Sequence, residues 1–355
     1  MKIGITIGDV NGVGPEVIIK VLSNEHFVTK FTPIIYGSSK VMSYHKNIVK
    51  DSEINFFNIS SADRASRDKI NVINCWDENV NISLGKATED GGKYAYLALD
   101  KAVQDLKAGL IDALVTAPIN KEAMSMAQFP YPGHTEYIEH TIGGKSLMMM
   151  VGERLRVGLV TNHLPVSEVA HKITKSQIME KLRLLNDSLI RDFGIDKPLI
   201  AVLGLNPHAG DNGTIGKEEE EFIRPAIIEA KKSGMNVAGP YSADGFFGSS
   251  QFTKFDGILA MYHDQGLIPF KALTFGTGVN FTAGLDKIRT SPDHGTAYDL
   301  AGKNEADETS IRSAIYMAIE VYKHRTEYVD LRKNSLKKKE KPTYAEEEDE
   351  ILEDA

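Results

Sequence analysis

The chain has 355 residues, 42% of them hydrophobic, and 49 acidic against 41 basic residues give a net charge of −8. That length suits roughly two domains, the acidic balance excludes a global basic field for nucleic acid, and the single cysteine, Cys75, excludes both an intrachain disulfide framework and a thiolate metal cluster. No apolar stretch approaches the ~20 residues of a membrane span and the start, MKIGITIGDVNG, lacks a signal-peptide core, so the expectation is a cytoplasmic, soluble protein without a membrane partner.

Residues 2–7 alternate and are rich in β-branched side chains, which predicts a strand running into the loop GDVNGVGPE at 8–16. Val17, Ile18, Ile19, Val21 and Leu22 then mark the buried side of a helix with Pro15 in its first turn. Such a strand, glycine loop and helix often holds phosphate on the helix N-terminus. This spacing is neither GxGxxG nor a P-loop, and a tight turn before a helix reads equally well. Strands are predicted at 32–36, 54–57, 70–73 and 113–116, with a helix at 91–106 that places Tyr94, Leu97, Ala98 and Ala102 on one side. Strands alternating with helices argue for an α/β protein with a largely parallel sheet.

At 130–136 the sequence PYPGHTE makes a rigid turn into a helix predicted from Tyr137, with Thr135 as its N-cap. His134 at that point is placed to meet phosphate or carboxylate, or equally solvent. The following GGKS at 143–146 looks like the end of a Walker loop, but Glu139 stands where the first glycine belongs, which excludes a P-loop. Three predicted strands come next, at 156–161, 199–205 and 257–262, and each is trailed by a histidine: His163, His208 and His263. In a parallel sheet the C-terminal strand ends share one edge, where open α/β proteins place ligands. Three imidazoles converging there would make a divalent metal site, with Asp211 and Asp264 able to orient the ligands. Asp244, in the loop SADGFF, is a catalytic candidate or a turn former.

The stretch 255–302 concentrates Lys271, Asn280, Arg289, Asp293 and His294 among glycines, and it reads as a ligand site. Lys271 and Arg289 suit anionic groups, Arg289 by a planar two-point grip, and Asn280 can fix orientation. A helix predicted at 309–322 closes the globular part, and the charged tail 331–355, with little to bury, is expected to be disordered. A divalent cation on three imidazoles would keep positions open and lower the pKa of a bound water from ~15.7 towards ~7. The residues thus predict a metal-assisted reaction on a small anionic hydroxy compound. They leave oxidation, hydrolysis and non-catalytic binding of a phosphometabolite open.

The segments GDVNGVGPE, DALVTAPINKEAM, YPGHTEY, VTNHLPVSEV, LGLNPHAGDNGTIGKEE, YHDQGLIPFK and GVNFTAGLDKIRTSPDHGTAYDLAG together resemble the PdxA family of 4-hydroxythreonine-4-phosphate dehydrogenases of vitamin B6 synthesis, over roughly residues 1–325. The resemblance implies an isocitrate/isopropylmalate dehydrogenase-like α/β fold without a dinucleotide fingerprint. Two α/β/α domains, 1–130 with 295–330 and 131–294, would flank a cleft, the second carrying the metal ligands and the interface of a homodimer. It further implies His163, His208 and His263 as metal ligands in a site shared across that interface, and His134, Thr135, Lys271, Asn280 and Arg289 as contacts to a small phosphorylated substrate. Lys271 and Asp244 are the catalytic candidates. The implied cofactors are NAD or NADP, with contacts that stay unknown, and one divalent ion per site: Zn, Mg, Co, Mn or Ni. The implied reaction oxidises the C3 hydroxyl of 4-phosphooxy-L-threonine to a 3-keto acid that loses CO2 to give 3-amino-2-oxopropyl phosphate. A related phosphorylated hydroxy acid such as 4-phospho-D-erythronate stays open as the substrate.

Overall fold

Short apolar runs bounded by turns build the strands of the computed structural model, which describes residues 1–50 and 52–333. In chain order they are β1 (Lys2–Thr6), β2 (Thr32–Gly37), β3 (Phe56–Ile59), β4 (Ile70–Asn74), β5 (Ala113–Thr116), β6 (Leu147–Val151), β7 (Arg156–Leu159), β8 (Leu199–Leu203), β9 (Asn236–Tyr241), β10 (Gly257–Ala260), β11 (Val279–Ala283) and β12 (Ile288–Pro292). The helices are α1 (Gly14–Leu22), α2 (Glu25–Val28), α3 (Ser39–Lys46), α4 (Glu89–Lys107), α5 (Lys121–Met126), α6 (His134–Ile142), α7 (Val166–Lys172), α8 (Lys175–Arg191), α9 (Arg224–Lys232), α10 (Ala243–Gly248), α11 (His263–Thr274) and α12 (Thr309–Arg332). No helix among the described residues is long and apolar enough to cross a membrane.

The strands pair into one twelve-stranded sheet in the order β3-β4-β2-β1-β5-β12-β11-β6-β7-β10-β8-β9. Pairing is parallel from β3 to β12 and again from β7 to β9. It is antiparallel only around β11 and β6, which join the two parallel halves. Neighbouring residues on a strand serve opposite faces. On β2, Ile35 packs into one core cluster and Ile34 and Tyr36 into another, and on β10 Leu259 parts in the same way from Ile258 and Ala260. Strands covered on both faces must be apolar throughout, which is why they appear in the sequence as continuous runs.

On one face a single cluster, holding Val17 of α1, Leu182 of α8 and Ile315 of α12, extends across both halves. On the other face the packing divides. Leu99 of α4, Met124 of α5 and Ile138 of α6 belong to one cluster, and Phe246 of α10 and Phe270 of α11 to a second. Each fully buried aliphatic or aromatic side chain of this kind contributes roughly 1.5–3 kcal/mol.

The expected alternation of strands and helices is observed, with local corrections. Helix α6 begins at His134 with Gly133 in the N-cap position, so Thr135 lies inside the first turn rather than capping it. Strands β7, β8 and β10 end at Leu159, Leu203 and Ala260, short of the predicted ends, although Val160 still donates its N–H to the Ala260 carbonyl. Helix α12 continues past Tyr322 to Arg332, because no glycine or proline interrupts that segment. The first residues assigned to the tail are therefore helical, and 334–355 lie outside the described residues.

The glycine loop before α1 is a structural turn. Asp9 accepts the Asn11 N–H at 2.9 Å and the Tyr298 hydroxyl at 2.5 Å, while Asn11 bonds Thr88 at 2.8 Å and the Ser83 N–H at 2.7 Å. Its side-chain oxygens are spent within the fold, and the Val13 N–H goes to the Thr296 carbonyl.

Candidate active site

Where the two halves meet, the ends of β5 and β12, the strands β6 and β11, and the starts of α6 and α11 line a cleft of about 310 Å³. A cleft of that size holds a small metabolite. His134, Thr135, Lys271, Asn280 and Arg289, all expected to contact substrate, line it, together with His163 and His263.

Arg289 is the most informative of them. Carried on β12 and 2% exposed, it donates from Nη2 and Nε to Thr116 Oγ1 at 2.7 and 3.2 Å, and from Nη1 to Thr282 Oγ1 at 3.2 Å and Thr135 Oγ1 at 3.5 Å. All of these acceptors are neutral hydroxyls. Among the described residues no carboxylate forms an ion pair with it, and burial pulls its pKa down to about 10 against the weaker opposing field of Glu136. A buried guanidinium without a counter-ion is costly. An anion entering the cleft would match its charge.

The other polar groups agree. Burial and then the Arg289 charge push the His134 pKa well below its ordinary value, so the ring is neutral. Arg289 Nη2 stands 3.4 Å from His134 Nδ1, and because a guanidinium can only donate, Nδ1 accepts and the proton sits on Nε2. That Nε2 is buried without a partner, as are Asn280 Oδ1 and His294 Nε2. His294 donates from Nδ1 to the Gly295 carbonyl at 2.9 Å, which leaves its Nε2 as an acceptor. One unpaired donor and two unpaired acceptors thus share a cleft with an uncompensated cation, and buried polar atoms rarely go unpaired without a ligand or water to meet them. Among the described residues Lys271, on α11, hydrogen-bonds only the Asp293 carbonyl, at 3.2 Å.

The histidines divide. His163 and His263 follow the adjacent parallel strands β7 and β10, and their ring centroids are 5.6 Å apart. Burial, then the Lys121 charge, lowers the His163 pKa. His263 Nδ1 donates to Asp264 Oδ1 at 2.7 Å, leaving Nε2 as the lone-pair nitrogen, and a carboxylate behind an imidazole is the usual support of a metal-ligating histidine. His208 lies apart, in a second cavity of about 540 Å³ with Asp244 and Asp264. The reason is local. After β8 the chain enters a turn with left-handed backbone from His208 to Asn212, φ 42–79°, which carries His208 out to the surface.

Among the described residues no three His, Cys, Asp or Glu side chains stand close enough together to hold a metal ion. The expectation that the three strand-end histidines converge within one chain is thereby corrected to two together and one apart. The donor chemistry of imidazoles fits a divalent cation, and within the chain two of the three histidines stand together.

Asp244 also stands outside the cleft that holds Arg289. The Ser242 hydroxyl, then the Gly245 N–H, keep its carboxyl below the usual range. Among the cleft residues not assigned a role from sequence are Thr116, Lys121 and Glu136. Thr116 was the most accessible of them, since it ends a predicted strand on the edge where ligands bind.

The family model for the pyridoxal phosphate biosynthetic protein PdxA matches residues 29–318. A 4-hydroxythreonine-4-phosphate dehydrogenase from Bacteroides thetaiotaomicron is 52% identical over 340 residues, 95% of this chain and 93% of its own. A relative from Oceanobacillus iheyensis, provisionally named a D-threonate 4-phosphate dehydrogenase, is 40% identical over 90% of this chain and 97% of its own. Among solved structures, a 4-hydroxythreonine-4-phosphate dehydrogenase from Burkholderia phymatum superposes with a TM-score of 0.75 at 38% identity, covering 90% of this chain and 98% of that one.

Proposed function

The chain belongs to the PdxA family of pyridoxal phosphate biosynthetic proteins, with its isocitrate/isopropylmalate dehydrogenase-like α/β fold, and from that premise we propose that this oxidoreductase oxidises 4-phosphooxy-L-threonine with NAD or NADP in pyridoxine 5′-phosphate synthesis. The observation that carries the reading is the buried, carboxylate-free Arg289 beside the unpaired His134 Nε2–H, in a cleft that also presents His163 and His263.

Arg289, braced by Thr116 and Thr282, grips one anionic end of the substrate, and His134 donates to the same group from Nε2. Asn280 Oδ1 and His294 Nε2 accept hydrogen bonds from the substrate's amino and hydroxyl groups. Lys271 meets the second anionic end. When bound, a divalent cation supplies a Lewis acid that eases loss of the C3 hydroxyl proton, and the nicotinamide supplies the hydride acceptor. Oxidation removes that proton and a hydride from C3. The resulting β-keto acid loses CO2 readily, because the breaking C1–C2 bond leaves its electron pair in an enolate, and the Lys271 ammonium would return a proton to C2.

The residues that would hold the cation are His163 and His263 of one chain with the partner subunit's His208. The surface around the histidine pair supports this homodimer. Val166, directly after the His163 loop, is 78% exposed, and Ile268, in the second turn of α11 after His263, is 66% exposed. Large exposed apolar side chains gathered at a site mark an association surface. Ile268 also lines the cavity that holds His208 and Asp244, so a two-fold pairing through this face would bring Asp244 in together with His208.

A second reading keeps the chemistry and changes the substrate to a phosphorylated hydroxy acid without the amino group, such as 4-phospho-D-erythronate. It draws on the Oceanobacillus iheyensis relative named for D-threonate 4-phosphate. The test is NADH formation by the purified protein from NAD and each compound, with and without a chelator. Chelator-sensitive NADH from 4-phosphooxy-L-threonine supports the first reading, and NADH from the erythronate alone selects the second. No turnover of either compound, with NAD or NADP, overturns both.

A further inference from the structure

The turn that presents His208 is the most strained segment near the site. His208, Ala209, Asp211 and Asn212 hold φ of 54°, 51°, 42° and 53°, around Gly210 at 79°. A non-glycine residue in left-handed backbone costs roughly 1–2 kcal/mol, so four of them need an external brace.

Glu219 is placed to be that brace. It is 1% exposed, and its Oε1 accepts the backbone N–H groups of Leu205 at 2.7 Å and Asn206 at 2.8 Å. Its Oε2 accepts from Asn206 Nδ2 at 2.9 Å, and that amide also donates to Glu218 Oε2 at 2.8 Å. The same carboxylate backs the turn itself, since a Cβ added at Gly210 would lie 2.6 Å from Oε2. Among the described residues no Lys, Arg or His forms an ion pair with it, so its hydrogen-bond partners are the N–H groups of the chain entering the turn. Glu219 opens the π-helical segment Glu219–Ile223, and such bulges recur at functional sites. Nearby, Gln265 accepts the Met261 N–H at 2.7 Å and donates to the Gly204 carbonyl at 2.6 Å, tying the end of β8 to the start of α11, where His263 sits.

We infer that Glu219 is a positioning residue of the metal half-site. By holding the backbone of Leu205 and Asn206 it fixes the left-handed turn and so sets where His208 is offered. This rests on the reading of His208 as a metal ligand.

The test is calorimetric titration of Co²⁺ into the full-length protein and its Glu219 variants, with the melting temperature recorded for each. Glu219→Ala loses both acceptors, and Glu219→Asp keeps the charge but shortens the arm by one methylene. Both are expected to bind Co²⁺ about tenfold more weakly or worse, a loss of ~1.4 kcal/mol. Glu219→Gln keeps an oxygen for the two backbone N–H groups and is expected to stay within about threefold of the wild type. Should the Ala variant not fold, the Asp and Gln variants decide by the same contrast. Folded Ala or Asp variants with wild-type affinity overturn the assignment and leave the metal reading standing. So does a pattern in which Ala and Gln are equally weak and Asp is normal, which would mark an effect of charge alone. A wild-type protein that binds no Co²⁺ overturns both this assignment and the metal reading beneath it.

Discussion

The charge of Arg289 is held in the cleft by three threonine hydroxyls and no carboxylate, an arrangement that costs the free protein and is offset when an anion arrives. Arg289→Lys keeps a charge but loses the planar fork, so KM for the phosphorylated substrate should rise about tenfold or more with a smaller change in kcat. An unchanged KM would contradict the anion clamp. At this scale the sequence was a good guide to residue types and a poor one to their states. Lys271, Asn280 and Arg289 stood out because their stretch is dense in groups that do chemistry and His134 because it sits at a helix start, whereas Thr135 was a substrate contact through the family resemblance alone; all five line one cleft. That Arg289 lacks a counter-ion, or that His294 offers a bare Nε2, depends on what packs around them from distant parts of the chain. Local spacing carries no record of that.

Between elements, His45 joins α3 to the turn before α1. Fully buried, it donates from Nε2 to the Val10 carbonyl at 2.9 Å, and burial pulls its pKa down to about 4. In the unfolded chain the same ring titrates near ~6.5. On acidification the unfolded state therefore takes up the proton first, and stability is lost as pH falls from about 6.5 to about 4, by roughly 3 kcal/mol in all from this group. His45→Gln removes that term. Urea unfolding at pH 7 and pH 4.5 should show the wild type losing more stability than the variant, and an equal loss in both would contradict the buried neutral histidine. Element existence and type were legible from periodicity, whereas their ends were less so. The start of α6 moved to His134 because Gly133 takes the N-cap position, and α12 ran on to Arg332 because nothing in its last turns stops a helix.

Over the whole molecule, two parallel half-sheets joined through antiparallel β11 and β6 put the anion clamp and the histidine pair in one cleft. The strand-end rule correctly placed His163 and His263 after adjacent strands, and it missed the partition of His208 because the chain entering the left-handed turn after β8 is held by Glu219, fourteen residues beyond Leu205. Sequence reading also had no means of seeing that the exposed Ile268 shares a cavity with His208, since apolar residues look alike before folding. The central claim, that Arg289 of one chain and the partner subunit's His208 complete one site, is tested most directly by mixing two inactive variants, Arg289→Met and His208→Ala, under conditions that exchange subunits. In a mixed dimer one site carries both defects and the other carries none, so about half the dimers regain one of two sites and activity should recover to about a quarter of the wild type. No recovery, with mixed dimers verified by mass spectrometry, would mean that both residues act within one chain and would contradict the account.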